Sequence, residues 1–168
     1  MQQYIKQFGL ACVLGVSTLM AGAQQHDQLG ADIRQLVVQL TGVCNQKCSA
    51  SSRENIREIL TEGRQAILYQ LSLFERGMSL EQMQADEQVI QFRDTFGYRV
   101  QPLQEEIVAD LQHKDELVDA VMMVKDIVDP FFEARQEEIT KLLFDTSLVK
   151  KQIEYWLLAI DTALEHLQ

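Results

Sequence analysis

Proline is nearly missing from this sequence, with two among 168 residues, Pro102 and Pro130. The eight glycines are isolated, and the two asparagines are Asn45 and Asn55. A chain so poor in turn-forming residues cannot supply the frequent reversals of a β-sandwich or barrel, and no alternating run is bounded by turn dipeptides. Isolated glycines also leave no phosphate-cradling loop, and the serines fall mostly at helix starts, away from any nucleophile elbow. Neither asparagine opens an Asn-x-Ser/Thr acceptor, which leans towards a bacterial envelope over a eukaryotic secretory route.

Basic residues are also scarce. Fifteen Lys and Arg stand against twenty-five Asp and Glu, for a formal net charge of −10 and a pI near 4.7. Such a charge opposes contact with phosphate backbones and anionic membranes, so nucleic acid is excluded as a partner and a basic protein is favoured. His26, His113 and His166 are scattered, and none falls in an E-x-x-H, H-E-x-x-H or C-x-x-C-H pattern. Asp110 and His113 lie one turn apart, but no second acidic-x-x-His completes a bundle metal site. No catalytic residue, metal set or cofactor is assigned. A non-covalent haem held by His113 or His166 with a methionine is the weaker alternative.

What is present begins with an export signal. Lys6 lies in a short n-region, Phe8 to Met20 form an apolar run, and Ala21-Gly22-Ala23 is a small-x-small cleavage site before Gln24. The run is shorter than the ~20 residues a spanning helix needs, so no stable membrane anchor remains after cleavage. Residues 1–23 are therefore expected to be removed, leaving 24–168 as one helical domain in the periplasm or outside the cell. In that compartment disulfides persist, and Cys44 and Cys48 are the candidate pair. A local bridge is preferred to a redox or copper role, because no histidine or methionine lies within ten residues on either side of the pair.

Helical spacing dominates the remainder. Asp27 to Gly42 reads as a short first helix, Gly42–Ser52 as a loop carrying the cysteines, and Ser51 with Glu54 as a capping box for a second helix over 52–76. Ser79 with Gln82 opens a third helix over 79–96, and Gly97–Gln101 connects it onward. Leu103, Ile107, Leu111, Leu117, Val118, Val121, Val124 and Val128 then suggest one long organising helix from Pro102 to Val128, ended by Asp129-Pro130. A helical tail follows over 130–167, interrupted at Asp145-Thr146-Ser147. The expectation is all-α: an up-and-down bundle of about four long helices with a short additional N-terminal helix.

Asp115, Asp119, Asp126 and Asp129 lie near one line of the organising helix, and they are the candidate docking edge for a basic partner. Met122-Met123, Phe131-Phe132 and Tyr155-Trp156 each push one member towards the edge of an apolar stripe. The functional expectation is an exported, non-enzymatic protein that binds another protein, as chaperone, inhibitor, immunity protein or secreted effector. The alternative is a bundle that holds a small molecule, haem or metal in an envelope sensor or carrier role.

Overall fold

The computed structural model of the chain describes residues 26–111 and 114–168. Among them are six α-helices and no strand, so the all-α expectation holds. The helices are α1 (His26–Lys47), α2 (Ala50–Glu75), α3 (Leu80–Gln84), α4 (Glu87–Asp110), α5 (Lys114–Phe144) and α6 (Val149–His166), with a 3₁₀ turn at Thr146–Leu148 before α6.

Helix starts follow side-chain chemistry. The Ser79 hydroxyl accepts from Gln82 N–H while the Gln82 side chain accepts from Ser79 N–H, closing the expected capping box. Asp145 accepts from Ser147 N–H and opens the 3₁₀ turn where an interruption was expected. At the second helix the cap is Ser49, whose hydroxyl accepts from Ser52 N–H at 3.1 Å; Ser51, expected there, is already helical. Asp86 accepts from Gln88 and Val89 N–H, so the expected helix over 79–96 divides into short α3 and long α4.

The organising helix of the sequence reading is not one helix. Pro102 lies inside α4 and Pro130 inside α5, while the chain breaks between Asp110 and Lys114. Both prolines face water, and so do the residues one turn earlier, Tyr98 and Asp126, whose carbonyls lose their helical partners. Water serves those carbonyls, so the prolines do not end the helices. The apolar stripe instead lapses over the five polar residues Gln112 to Glu116, and it is at this lapse that α4 ends, at Asp110, and α5 begins, at Lys114. Leu103, Ile107 and Leu111 are buried before it and Ala120 and Val124 after it, on a shifted phase. Gly97–Gln101 is helical because Phe96, Val100 and Leu103 carry the stripe across it. Likewise α1 continues through Gly42 to Lys47, since Leu40, Val43 and Cys44 remain buried. The first helix, expected to be short, has 22 residues, and residues 43–47 form helix in place of a loop.

Directions follow from cross-helix contacts. Arg64 pairs with Asp161 at 2.5 Å and Arg57 donates to the Leu164 and Leu167 carbonyls, so α2 and α6 are antiparallel. Arg99 reaches Glu58 and Glu62, and Asn55 donates to Glu106, which sets α4 antiparallel to α2. Lys47 pairs with Asp119 and Arg135 with Asp32, so α5 runs against α1. Gly30 sits beside Tyr155 and Leu158 while Asn45 meets His166 and Gln168, so α6 lies parallel to α1. The long helices thus alternate up and down, with α6 wedged between α1 and α2.

The core has two parts. One gathers Leu29, Ile33, Ile56, Ile107 and Leu142 from α1, α2, α4 and α5; the other gathers Ile67, Leu73, Met83 and Ile153. Ile160 packs against both.

Gly63 sits inside α2, where a Cβ would meet Ile160 at 3.7 Å and Phe96 at 3.8 Å, ordinary contact distances. Nothing requires glycine there sterically. Gly63→Ala should therefore raise the unfolding free energy by about 1 kcal/mol through helix propensity. Urea unfolding followed by helical circular dichroism checks it, and a lower midpoint would show that α2 needs flexibility at this position.

Candidate functional site

Between α1, α2, α4 and α6 the two parts of the core fail to close, leaving an apolar cleft of about 390 Å³. Small residues on the two facing helices produce it. Gly63 and Ala66 on α2 stand opposite Ala159 and Ala163 on α6, four positions whose side chains occupy little of the space between them. Val37, Leu40 and Cys44 of α1 line one wall, and Phe92 and Phe96 of α4 line the other. A dry cavity of this volume would cost on the order of 9 kcal/mol by the measured dependence on cavity volume. That approaches the whole stability of a typical domain, about 5–15 kcal/mol. The cleft is accordingly open to water on one side, and its apolar lining offers a surface for a ligand.

Its charged rim is mostly paired. Glu62 and Glu58 both meet Arg99, whose guanidinium they hold above its ordinary value, and Arg93 lies 3.2 Å from Asp94.

A second compartment of about 280 Å³ adjoins the first and shares Gln70, Val89 and Trp156 with it. Its other walls come from α3, the 3₁₀ turn and the start of α6, including Met83, Asp145, Thr146 and Gln152. Trp156, the only tryptophan of the chain, therefore faces both compartments.

The inner end of the cleft is a polar corner. Cys44 and Cys48 are both buried, and their sulfurs lie 3.2 Å apart, one turn apart in sequence. The hydrogen bond with Cys44 and burial push the Cys48 thiol far above its ordinary range, so the pair rests as thiols rather than thiolate. Beside them Arg53 donates to the Cys48 carbonyl at 2.5 Å, and its buried Nε has no partner among the described residues. Asp110 closes the corner by accepting from Ser49 N–H at 2.8 Å and the Ser52 hydroxyl at 2.6 Å. Burial alone would raise the Asp110 carboxyl, but the Ser52 and Ser49 hydrogen bonds and the Arg53 charge outweigh it, and the net direction is down.

The other sequence candidates are placed apart from the cleft. Asp115, Asp119, Asp126 and Asp129 are all exposed on α5, where Asp119 pairs with Lys47 and Asp129 lies 3.8 Å from Lys125. Of the paired apolar residues, Met122 is 48% exposed while Met123 packs on the core, and Phe131 and Phe132 meet edge to face at 5.6 Å. His166 Nδ1 bonds the Thr162 carbonyl at the end of α6. His113 and the signal region, 1–23, lie outside the described residues. No group of three or more potential metal-binding side chains converges among the described residues, nor is any described helix long and apolar enough to cross a membrane. The cleft itself was not singled out by sequence reasoning. Its signal was the small-residue spacing Gly63-x-x-Ala66 on one helix and Ala159-x-x-x-Ala163 on another. No family model, curated protein or solved structure matches the chain.

The Asp110 carboxyl ionises below the ordinary value of 3.8 in the folded state, so its contribution is complete above that value and disappears as pH falls through the lower folded value. Asp110→Asn should lower stability at neutral pH and flatten the loss seen on acidification below about pH 4. Urea midpoints across pH 2–7 measure this, and parallel curves for the two proteins would remove Asp110 from the account.

Proposed function

We propose that this is an exported helical binding protein that holds a small apolar molecule in the cleft between α1, α2, α4 and α6. The observation that carries this reading is the cleft itself: about 390 Å³ lined by aliphatic and aromatic side chains, with its rim charges already paired within the chain. Of the two functional expectations, the bundle with a ligand in its core thus has the more specific support. Haem has less, because no histidine is among the described lining residues. A basic protein partner at Asp115, Asp119, Asp126 and Asp129 has less as well, since Lys47 and Lys125 already offset two of the four carboxylates.

Export rests on the n-region, the apolar run and the Ala21-Gly22-Ala23 site. In the oxidising compartment it implies, Cys44 and Cys48 pass two electrons and two protons to a disulfide oxidant and close an intramolecular bridge. Their sulfurs need to approach by about 1 Å to bond. Intact mass of the exported protein should show a mature start at Gln24 and the loss of two hydrogens, restored by reductant. A full-length N-terminus, or two alkylatable thiols, would count against this part of the reading.

Ligand binding has a built-in reporter in Trp156. Titration with an apolar naphthylamine dye should quench Trp156 saturably by energy transfer, with one site per chain. Gly63→Leu and Ala66→Leu, which project a side chain into the cleft, should weaken that binding at least ~tenfold, as loss of a filled apolar site predicts. Circular dichroism confirms that each variant is folded. Unsaturable quenching, or unchanged affinity in both folded variants, would reject the cleft as the site.

A further inference from the structure

The second compartment differs from the first in kind. Its walls mix Met83 and Ile153 with the amides of Gln70 and Gln152, the indole of Trp156 and one charged side chain, Asp145. The charge on each lining residue can be compared directly. In the first compartment Glu62 is engaged by Arg99 and Arg93 lies against Asp94. Asp145 has no cation within ion-pair distance among the described residues. Lys141, one turn earlier, is near enough only to help the Ser147 hydrogen bonds keep the carboxyl ionised. Both bonds from Ser147 fall on Oδ1, at 3.0 Å from the backbone N–H and 2.6 Å from the hydroxyl, and Oδ2 accepts none among the described residues.

A carboxylate without an ion-pair partner and an indole lining one compartment are the two groups that together recognise an organic cation, by Coulomb attraction and by the ring quadrupole. The chain's net charge of −10 favours the same sign of ligand at longer range. The first compartment, which shares Gln70, Val89 and Trp156 with the second as walls, offers an apolar lining for the rest of such a molecule.

We infer that the ligand is a cationic amphiphile, its apolar chain in the first compartment and its ammonium group between Asp145 and Trp156. This rests on the cleft being a ligand site, and it adds the sign and place of the head group.

Three matched probes test it: decyltrimethylammonium, decyl alcohol and decanoate, each below its micelle-forming concentration, titrated into the full mature chain while Trp156 emission and displacement of the naphthylamine dye are followed. The cation should bind at least ~tenfold more tightly than the anion, with the alcohol between, a gap within the range of cation–π and near-surface ion-pair energies. Added salt should narrow the gap. Asp145→Asn keeps the cap of the 3₁₀ turn, because asparagine caps as well as aspartate, yet should bring cation and anion to within about threefold. Equal binding of the three probes, or an unaltered order in Asp145→Asn, would overturn the head-group assignment while leaving the cleft as a ligand site. Failure of all three to displace the dye or change Trp156 emission would overturn both.

Discussion

The structure depends on one packing constraint: α6 is held on two sides at once, by α1 running parallel to it and α2 running antiparallel. A helix gripped from both sides needs small residues where the neighbours converge and larger ones where they diverge. On α6, Ile153 and Ile160 fill the two parts of the core, while the buried Ala159 and Ala163 leave the space that becomes the cleft. The remaining helices are then placed from outside. α5 locks onto α1 through Arg135, which bonds Asp32 across the interface and Glu138 on its own helix, and α4 locks onto α2 through Arg99. No outer helix replaces α6 at the centre.

The cleft is a consequence of that arrangement. Facing small residues on α2 and α6 would close up if the two helices could approach, but Phe92 and Phe96 on α4 and Val37 and Leu40 on α1 hold the surrounding walls apart. Space is therefore preserved between bulky neighbours instead of being squeezed out. Natural cores seldom keep so much apolar surface unfilled, because lost contacts go uncompensated. The ligand proposed for the cleft would restore those contacts.

The sequence made the class of fold legible but misplaced its centre. Three- and four-residue apolar spacing, low proline, the Ser79 cap and the interruption at Asp145 identified an all-α bundle correctly. The error came from reading Pro102 and Asp129-Pro130 as boundaries, when both prolines lie on water-facing surfaces that leave the orphaned carbonyls hydrated. The true boundary, between Asp110 and Lys114, carries no breaker residue and shows only as a gap in the apolar stripe over Gln112 to Glu116. The cleft was harder still to see. A pair of small residues on each of two helices becomes a site only when the fold brings those faces opposite one another, and periodicity within one helix contains no such information. Cys44 and Cys48 were singled out as a pair on compartment and number and assigned to a loop, whereas the structure brings their sulfurs together across the last turn of a helix.

The two ends of the cleft are tied very differently, and this sets which end opens more readily. At the inner end the α1–α2 corner is held by Ser49 and Ser52 on Asp110, Arg53 on the Cys48 carbonyl, Asn45 on the His166 carbonyl and Arg57 on the Leu167 carbonyl. These bonds join α1, α2, α4 and α6 at one place, several of them partly buried and charge-assisted, which is the setting in which such bonds count most. At the outer end the five-residue α3 packs mainly on α2 and α4, with Met83 as its buried anchor beside Ile153 of α6, and Tyr69 donates to Asp86 at 3.2 Å just beyond it. Local opening draws on the segment with the fewest buried contacts. Local opening at α3 thus costs less than any opening at the corner, and α3 walls the compartment that holds Asp145 and Trp156.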